Sequence, residues 1–215
     1  MDYQTLSNNC PTWNDYINHD FVNQLATGTL SEDSFRHYLK QDYLYLIHYT
    51  RVMALSVYKS DNLAQMRIGQ AGINAMLDLE IGMYLDFCKQ WGIELEEVEN
   101  TPESAATTAY SRYLLDAAMS GSLADLYAAI APCLMGYGEI GKRLKAEGYK
   151  PKNPYQSWID VFASDEFQDV TAQNEAHINQ LLTGATPSQE KKFQQLFNTA
   201  SRMEIDFWQM ALDLS

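Results

Sequence analysis

Between Ser31 and Lys59 the chain has neither glycine nor proline, and its apolar residues recur every three or four positions. Phe35, Leu39, Leu46, Tyr49 and Met53 share one side of a wheel turned at about 100° per residue. This pattern predicts a single helix on the order of 40 Å long. An element of that length with one apolar stripe must bury the stripe against other elements, and so it sets the kind of fold the chain can form.

The remaining segments read the same way, with stops supplied by Gly, Pro and short polar residues rather than by strand-flanking turns. A helix over about 11–27 stops at Gly28. Ser31, with Glu32 and Asp33 in the first turn, opens the long helix. Asp61 can cap a third, running to Trp91-Gly92. Beyond an acidic connector, Thr101 and Pro102 offer an N-cap and first position for a helix ending near Gly121. Ser122, with Asp125 placed for a capping-box contact, opens the next over about 122–147, and Pro132 inside it predicts a kink. Asn153-Pro154 restarts the chain into a short helix and then another to about Leu182. Thr186-Pro187 opens the last, over about 187–213. These are seven or eight helices without repeats or a dividing linker, and an all-α bundle forming one domain over 1–215 follows.

Three polar residues stand where apolar ones belong. Phe35, Tyr38, Leu39, Leu46, Tyr49 and Met53 lie within roughly 60° of Asp42 on the wheel, so the acid sits at the centre of the stripe. Cys133 lies the same way among Leu126, Ala129, Ile130, Tyr137, Ile140 and Leu144. Glu204 lies among Phe193, Phe197, Ala200, Phe207, Trp208 and Ala211. A cysteine there serves equally as a small hydrophobe, and tyrosines such as Tyr45, Tyr49, Tyr110, Tyr113 and Tyr137 serve equally as core. The two acids are harder to absorb, because an unpaired buried carboxylate costs several kcal/mol or is driven neutral. Either a salt bridge to Arg51, Arg112 or Arg202, or a ligand, answers that cost. Two acids, a thiol and tyrosine hydroxyls aimed inward from different helices describe a polar small-molecule site in an apolar bundle.

Several function classes fall away. The chain carries 15 Lys+Arg against 28 Asp+Glu, a formal net charge of −13. Nucleic-acid binding needs concentrated positive charge and is disfavoured. The start MDYQTLSNNC has no basic or apolar leader character, and no run approaches the ~18–20 apolar residues of a membrane span, so a cytoplasmic protein without a membrane partner is expected. Cys10, Cys88 and Cys133 are widely spaced and suggest neither disulfides nor zinc. None of His19, His37, His48 and His177 follows a Glu by three residues, as di-iron bundles require. A haem would need an axial ligand, for which His19 is a loose candidate. No P-loop or GxSxG sequence is present.

At this point the residues resemble a family. The blocks "HDFVNQLATGTLSEDSFRHYLKQDYLYL", "AYSRYLL", "PCLMGYGEIG", "YQSWIDVFASDEF" and "RMEIDFWQMA", in this order, are similar to TenA, the thiaminase II or aminopyrimidine aminohydrolase family, in its cysteine branch. The resemblance implies the haem-oxygenase-like all-helical fold, no cofactor, a homotetramer, and a place in thiamin salvage. It places the nucleophilic cysteine on Cys133, the active-site acid on Glu204 and the pyrimidine-holding acid on Asp42. The pocket aromatics fall on Tyr45, Tyr110, Tyr137 and Phe207. The implied reaction is hydrolysis of 4-amino-5-aminomethyl-2-methylpyrimidine or thiamin to the hydroxymethylpyrimidine. One departure stands out: where the family commonly carries an active-site tyrosine after "YQSWI", this chain has Phe162, a possible pocket wall. A protein that binds the pyrimidine without turning it over, and an oxidative enzyme on the same fold, are the competing readings.

Overall fold

The computed structural model describes residues 1–148, 150 and 152–215. Among these residues all regular secondary structure is helical, which makes the fold all-α. In chain order the helices are α1 (Tyr3–Asn8), α2 (Trp13–Ile17), α3 (Asp20–Thr27), α4 (Glu32–Tyr58), α5 (Leu63–Asn74), α6 (Ile81–Gln90), α7 (Leu95–Glu99), α8 (Ala105–Ser120), α9 (Leu123–Glu147), α10 (Gln156–Phe162), α11 (Asp165–Leu182) and α12 (Pro187–Asp213). A π-helical segment, Ala75–Glu80, joins α5 to α6 without a break. Among the described residues no helix is long and apolar enough to cross a membrane.

Most boundaries follow from the capping residues. Gly28 adopts a left-handed φ of 75° and closes α3; the Ser31 side chain accepts from Ser34 N to open α4. Ser122 N donates to Asp125 Oδ2 at 2.6 Å while Asp125 N donates to Ser122 Oγ at 3.2 Å, the reciprocal pair of a capping box. Three boundaries differ from expectation. The segment 11–27 breaks into α2 and α3, with Asn18 ending one and His19 Nδ1 accepting from Phe21 N to open the other. Asn62 rather than Asp61 caps α5. Helix α8 starts at Ser104 instead of Thr101, because Gln41 of α4 takes hold of the stretch of chain before it. Gln41 Nε2 donates to Pro102 O at 3.0 Å, and its Oε1 accepts from Ser104 N at 2.9 Å and Thr107 Oγ1 at 2.7 Å.

The chain divides into two compact units, Met1–Leu30 with Tyr127–Trp208, and Ser31–Leu126 with Gln209–Ser215. In the first, α9 is the element on which the others lean. Tyr3 OH and Trp13 Nε1 donate to the two oxygens of Glu139 at 2.6 and 3.1 Å, tying α1 and α2 to it. The stretch "GYGEIG", residues 136–141, has the GxGxxG spelling of dinucleotide folds but lies inside α9 instead of at a strand-to-helix turn. Its glycines serve packing: a Cβ on Gly136 would fall on the Tyr16 ring, one on Gly138 would lie 2.7 Å from Thr171 Cγ2, and one on Gly141 would fall on the Phe162 carbonyl oxygen. In the second unit α4 packs with α5, α6 and α8. Gly69 brings α5 against Ser56 and Val57 of α4, where any Cβ would press on them.

Gly141→Ala is therefore expected to lose about 1–3 kcal/mol through backbone overpacking. Gly82→Ala, with open space around it, is expected to gain up to about 1 kcal/mol from helix propensity. Urea midpoints at unchanged m-value measure both.

Candidate functional site

In the second unit the site begins at Asp42. The third turn of α4 buries it to 5% exposure on the stripe that the apolar spacing dictates. Tyr38, one turn earlier, donates its hydroxyl to Asp42 Oδ2 at 2.9 Å. Tyr84 reaches in from α6, with its hydroxyl 2.6 Å from that of Tyr38. Burial pushes the Asp42 carboxyl up to about 6, against the pull of the Tyr84 and Tyr38 hydroxyls. Burial and the charge on Asp42 hold Tyr84 well above the ordinary phenol value, so it stays a proton donor. Glu80, the last residue of the π-helical segment, is pushed up to about 7 by burial and by Asp42.

Of the two answers to its burial, the salt bridge does not form at Asp42 among the described residues. Arg51 Nη1 donates to His48 Nδ1 at 2.8 Å, Arg112 Nη2 to Glu103 at 3.1 Å, and Arg202 Nη2 to Thr199 Oγ1 at 3.2 Å. A carboxylate answered by phenols retains acceptor capacity that a bidentate guanidinium would consume. One turn along α4, Tyr45 stacks on Tyr110 of α8, with centroids 4.9 Å apart and planes at 30°. Gln41, one turn before Tyr45 on α4, holds the start of α8, the helix that carries Tyr110.

In the first unit, α9 carries Cys133 and α12 carries Glu204. Cys133 follows Pro132 and is half-buried, less enclosed than its stripe suggests. Glu204 is 2% exposed, beside the buried Ser201, Phe207 and Trp208 of its own helix. Tyr137, a turn after Cys133, packs its ring 4.9 Å from Phe162, 5.9 Å from Trp158 and 5.4 Å from Trp208. Phe162 lies 4.4 Å from Trp158 and 5.0 Å from Phe167, and Gln168 Nε2 fixes its carbonyl at 2.9 Å. Phe162 thus fills its place in the aromatic wall with a ring that carries no hydroxyl.

Each unit gathers its own set: Asp42, Tyr45 and Tyr110 in one; Cys133, Tyr137, Phe162, Glu204 and Phe207 in the other. Reasoning on single helices missed Tyr84 and Glu80, which lie on a separate element with no local signal pointing at Asp42. Tyr38 had one, since it is four residues from the acid on the same stripe. Burial holds the loose haem-ligand candidate His19 below its ordinary value, and its Nδ1 is engaged as a helix cap. Among the described residues no group of three or more His, Cys, Asp and Glu side chains is placed to hold a metal ion. Two surface hollows, of about 340 Å³ beside Lys150 and Asn153 and about 260 Å³ beside Arg202 and Asp206, are lined by none of Asp42, Tyr45, Tyr110, Cys133, Tyr137 and Glu204.

Residues 7–214 match the model of the TENA/THI-4/PQQC family. An uncharacterized protein of Haemophilus influenzae is 47% identical over the full length of both chains. The aminopyrimidine aminohydrolase of Halalkalibacterium halodurans is 37% identical over 94% of this chain and 90% of its own. The crystal structure of a TenA family transcription regulator from Silicibacter sp. TM1040 superposes with a TM-score of 0.93 at 38% identity, covering 98% of this chain and 96% of that one. The all-α helical bundle is the fold that this chain shares with that structure.

The Asp42 carboxyl supplies a pH-dependent term. Because the folded value lies above the ordinary one of 3.8, its contribution is fully present below about pH 4 and is lost as pH rises through about 6. Asp42→Asn removes that loss. The stability of Asp42→Asn relative to the parent is expected to rise on the order of 3 kcal/mol between about pH 4 and pH 6.5, read by urea unfolding across that range.

Proposed function

The chain belongs to the TENA/THI-4/PQQC family, and from that premise we propose that it is a pyrimidine hydrolase of thiamin salvage, a thiaminase II. Its substrates are 4-amino-5-aminomethyl-2-methylpyrimidine and thiamin, and its product is the 5-hydroxymethylpyrimidine. The observation that carries the reading is Asp42: a buried carboxylate held by two phenols instead of a cation. Such an acceptor suits an amino group on a flat heterocycle. The likeness to the H. halodurans aminopyrimidine aminohydrolase supports it. The reading carries with it the family's haem-oxygenase-like arrangement, homotetramer and cytoplasmic location.

In this mechanism Asp42 accepts hydrogen bonds from the 4-amino side of the ring and fixes its register, while Tyr45, Tyr110, Tyr137 and Phe207 cover its faces. The sulfur of Cys133 forms a bond to a ring carbon. The displaced electron pair passes to a ring nitrogen, which takes a proton from Glu204. The lone pair that remains on that nitrogen then drives out the amine, which leaves neutral from its protonated ammonium form, or the thiazole of thiamin, from the exocyclic methylene. Water adds at that carbon and loses a proton to Glu204, and the ring regains its aromaticity as the thiol departs. Attack requires the thiolate. The half-buried position of Cys133 gives it less apolar cover than full enclosure would.

Phe162 offers no hydroxyl to orient Glu204, and it bears on rate and substrate preference more than on the type of reaction. The same absence favours a second reading, a pyrimidine-binding protein without turnover. Assays of both substrates side by side, with the hydroxymethylpyrimidine detected by mass spectrometry, separate the two. Glu204→Gln is expected to lower kcat by about 10²–10⁴-fold. Cys133→Ala is expected to lose at least as much, and turnover at the parent rate in Cys133→Ala would end the covalent mechanism.

A further inference from the structure

The functional reading uses Asp42 but gives no role to the two phenols beside it. We propose that Tyr38 and Tyr84 are positioning residues for the pyrimidine: they commit one oxygen of Asp42 to themselves, hold its carboxylate ionised, and leave the other oxygen to receive the ring's amino group. This inference rests on the function proposed above and deepens it.

The geometry supplies the reasons. Tyr38, Asp42 and Tyr84 are all buried, at 0%, 5% and 1% exposure, so water does not arbitrate among their oxygens. Tyr38 spends its one hydroxyl proton on Asp42 Oδ2. In the 2.6 Å contact between the two phenols the donor must then be Tyr84. Both protons therefore run toward the carboxylate, Tyr84 to Tyr38 to Asp42. Such a chain polarises each bond in turn, and a short O–H···O contact is typical of charge-assisted bonding. A protonated Asp42 would bring a third proton to oxygens already supplied with two donors, and so the chain favours the ionised acid. An acidic neighbour works in the opposite direction. A charged Glu80 in the π-helical segment interacts unfavourably with a charged Asp42.

Tyr38 lies inside the first family block but outside the pocket aromatics that the resemblance assigns, and Tyr84 lies outside all five blocks. Tyr38 acts from within α4 and holds the side chain of Asp42 one turn away. Tyr84 acts from α6 and ties that position to a second helix, which restrains the carboxylate against rotation about its own χ angles.

The test is Tyr84→Phe, which keeps the ring and removes the proton, with Tyr38→Phe as the second variant should the first fold poorly. The KM for 4-amino-5-aminomethyl-2-methylpyrimidine is expected to rise about tenfold while kcat changes less than about threefold. The acid limb of kcat/KM is expected to move to higher pH. In an Asp42→Asn background Tyr84→Phe should raise KM no further, because its influence passes through Asp42. A full additional tenfold rise there would overturn the proposal. A carboxyl NMR titration of Asp42 in the ligand-free protein decides independently of turnover: in Tyr84→Phe the Asp42 titration moves to higher pH, and an unmoved titration overturns the positioning role. Failure of the parent protein to bind or convert either pyrimidine would refute the functional reading alone, and the NMR titration would still decide whether the phenols hold Asp42 ionised.

Discussion

Burying a carboxylate on an apolar helix face costs several kcal/mol unless hydrogen-bond donors meet its oxygens, and much of the second unit is organised around meeting that cost at Asp42. A guanidinium would meet it most fully and would leave the acid inert. Arg51 and Arg112 are instead drawn off to His48 and Glu103, and two phenols take their place. This answer is partial by construction: the carboxyl remains pushed up to about 6. Incomplete satisfaction of a buried polar group is a frequent signature of a site that expects a ligand.

The first unit solves a different problem, the close approach of helices. Its glycines on α9 let the Tyr16 ring, Thr171 and the Phe162 backbone come in where side chains would stand. The result is an aromatic wall of Tyr137, Trp158, Phe162 and Trp208 with centroids 4.4–5.9 Å apart. The spelling of a nucleotide-binding motif in this stretch shows how little a motif means outside its context. The same three glycines that cradle phosphate at a strand-to-helix turn here only make room for neighbours.

Helix existence was legible wherever a cap and a stripe agreed. Ser31, Gly28, the Ser122–Asp125 pair and Thr186-Pro187 each mark a boundary that the structure keeps, and the wheel placed Asp42 and Glu204 inside. The displaced start of α8 comes from a tertiary contact that local propensity does not contain. Thr101 is a fair N-cap by itself, but Gln41, sixty residues earlier, decides that α8 begins at Ser104. The half-buried state of Cys133 was not legible either, since a wheel describes direction and not cover. Tyr84 and Glu80 were out of reach because the helix that carries them changes its winding on the way.

That change of winding makes chain length itself informative. A π-helical segment holds one residue more than the α-helical turns it replaces, so winding all the residues of Ala75–Glu80 as α-helix would turn everything beyond them by about 100° about the axis. Tyr84 could then keep its identity in an alignment and still face away from Asp42. Among related chains, the residue count and the winding of this stretch together would therefore be the heritable mark of the phenol pair, and a tyrosine in the matching column would say little without them.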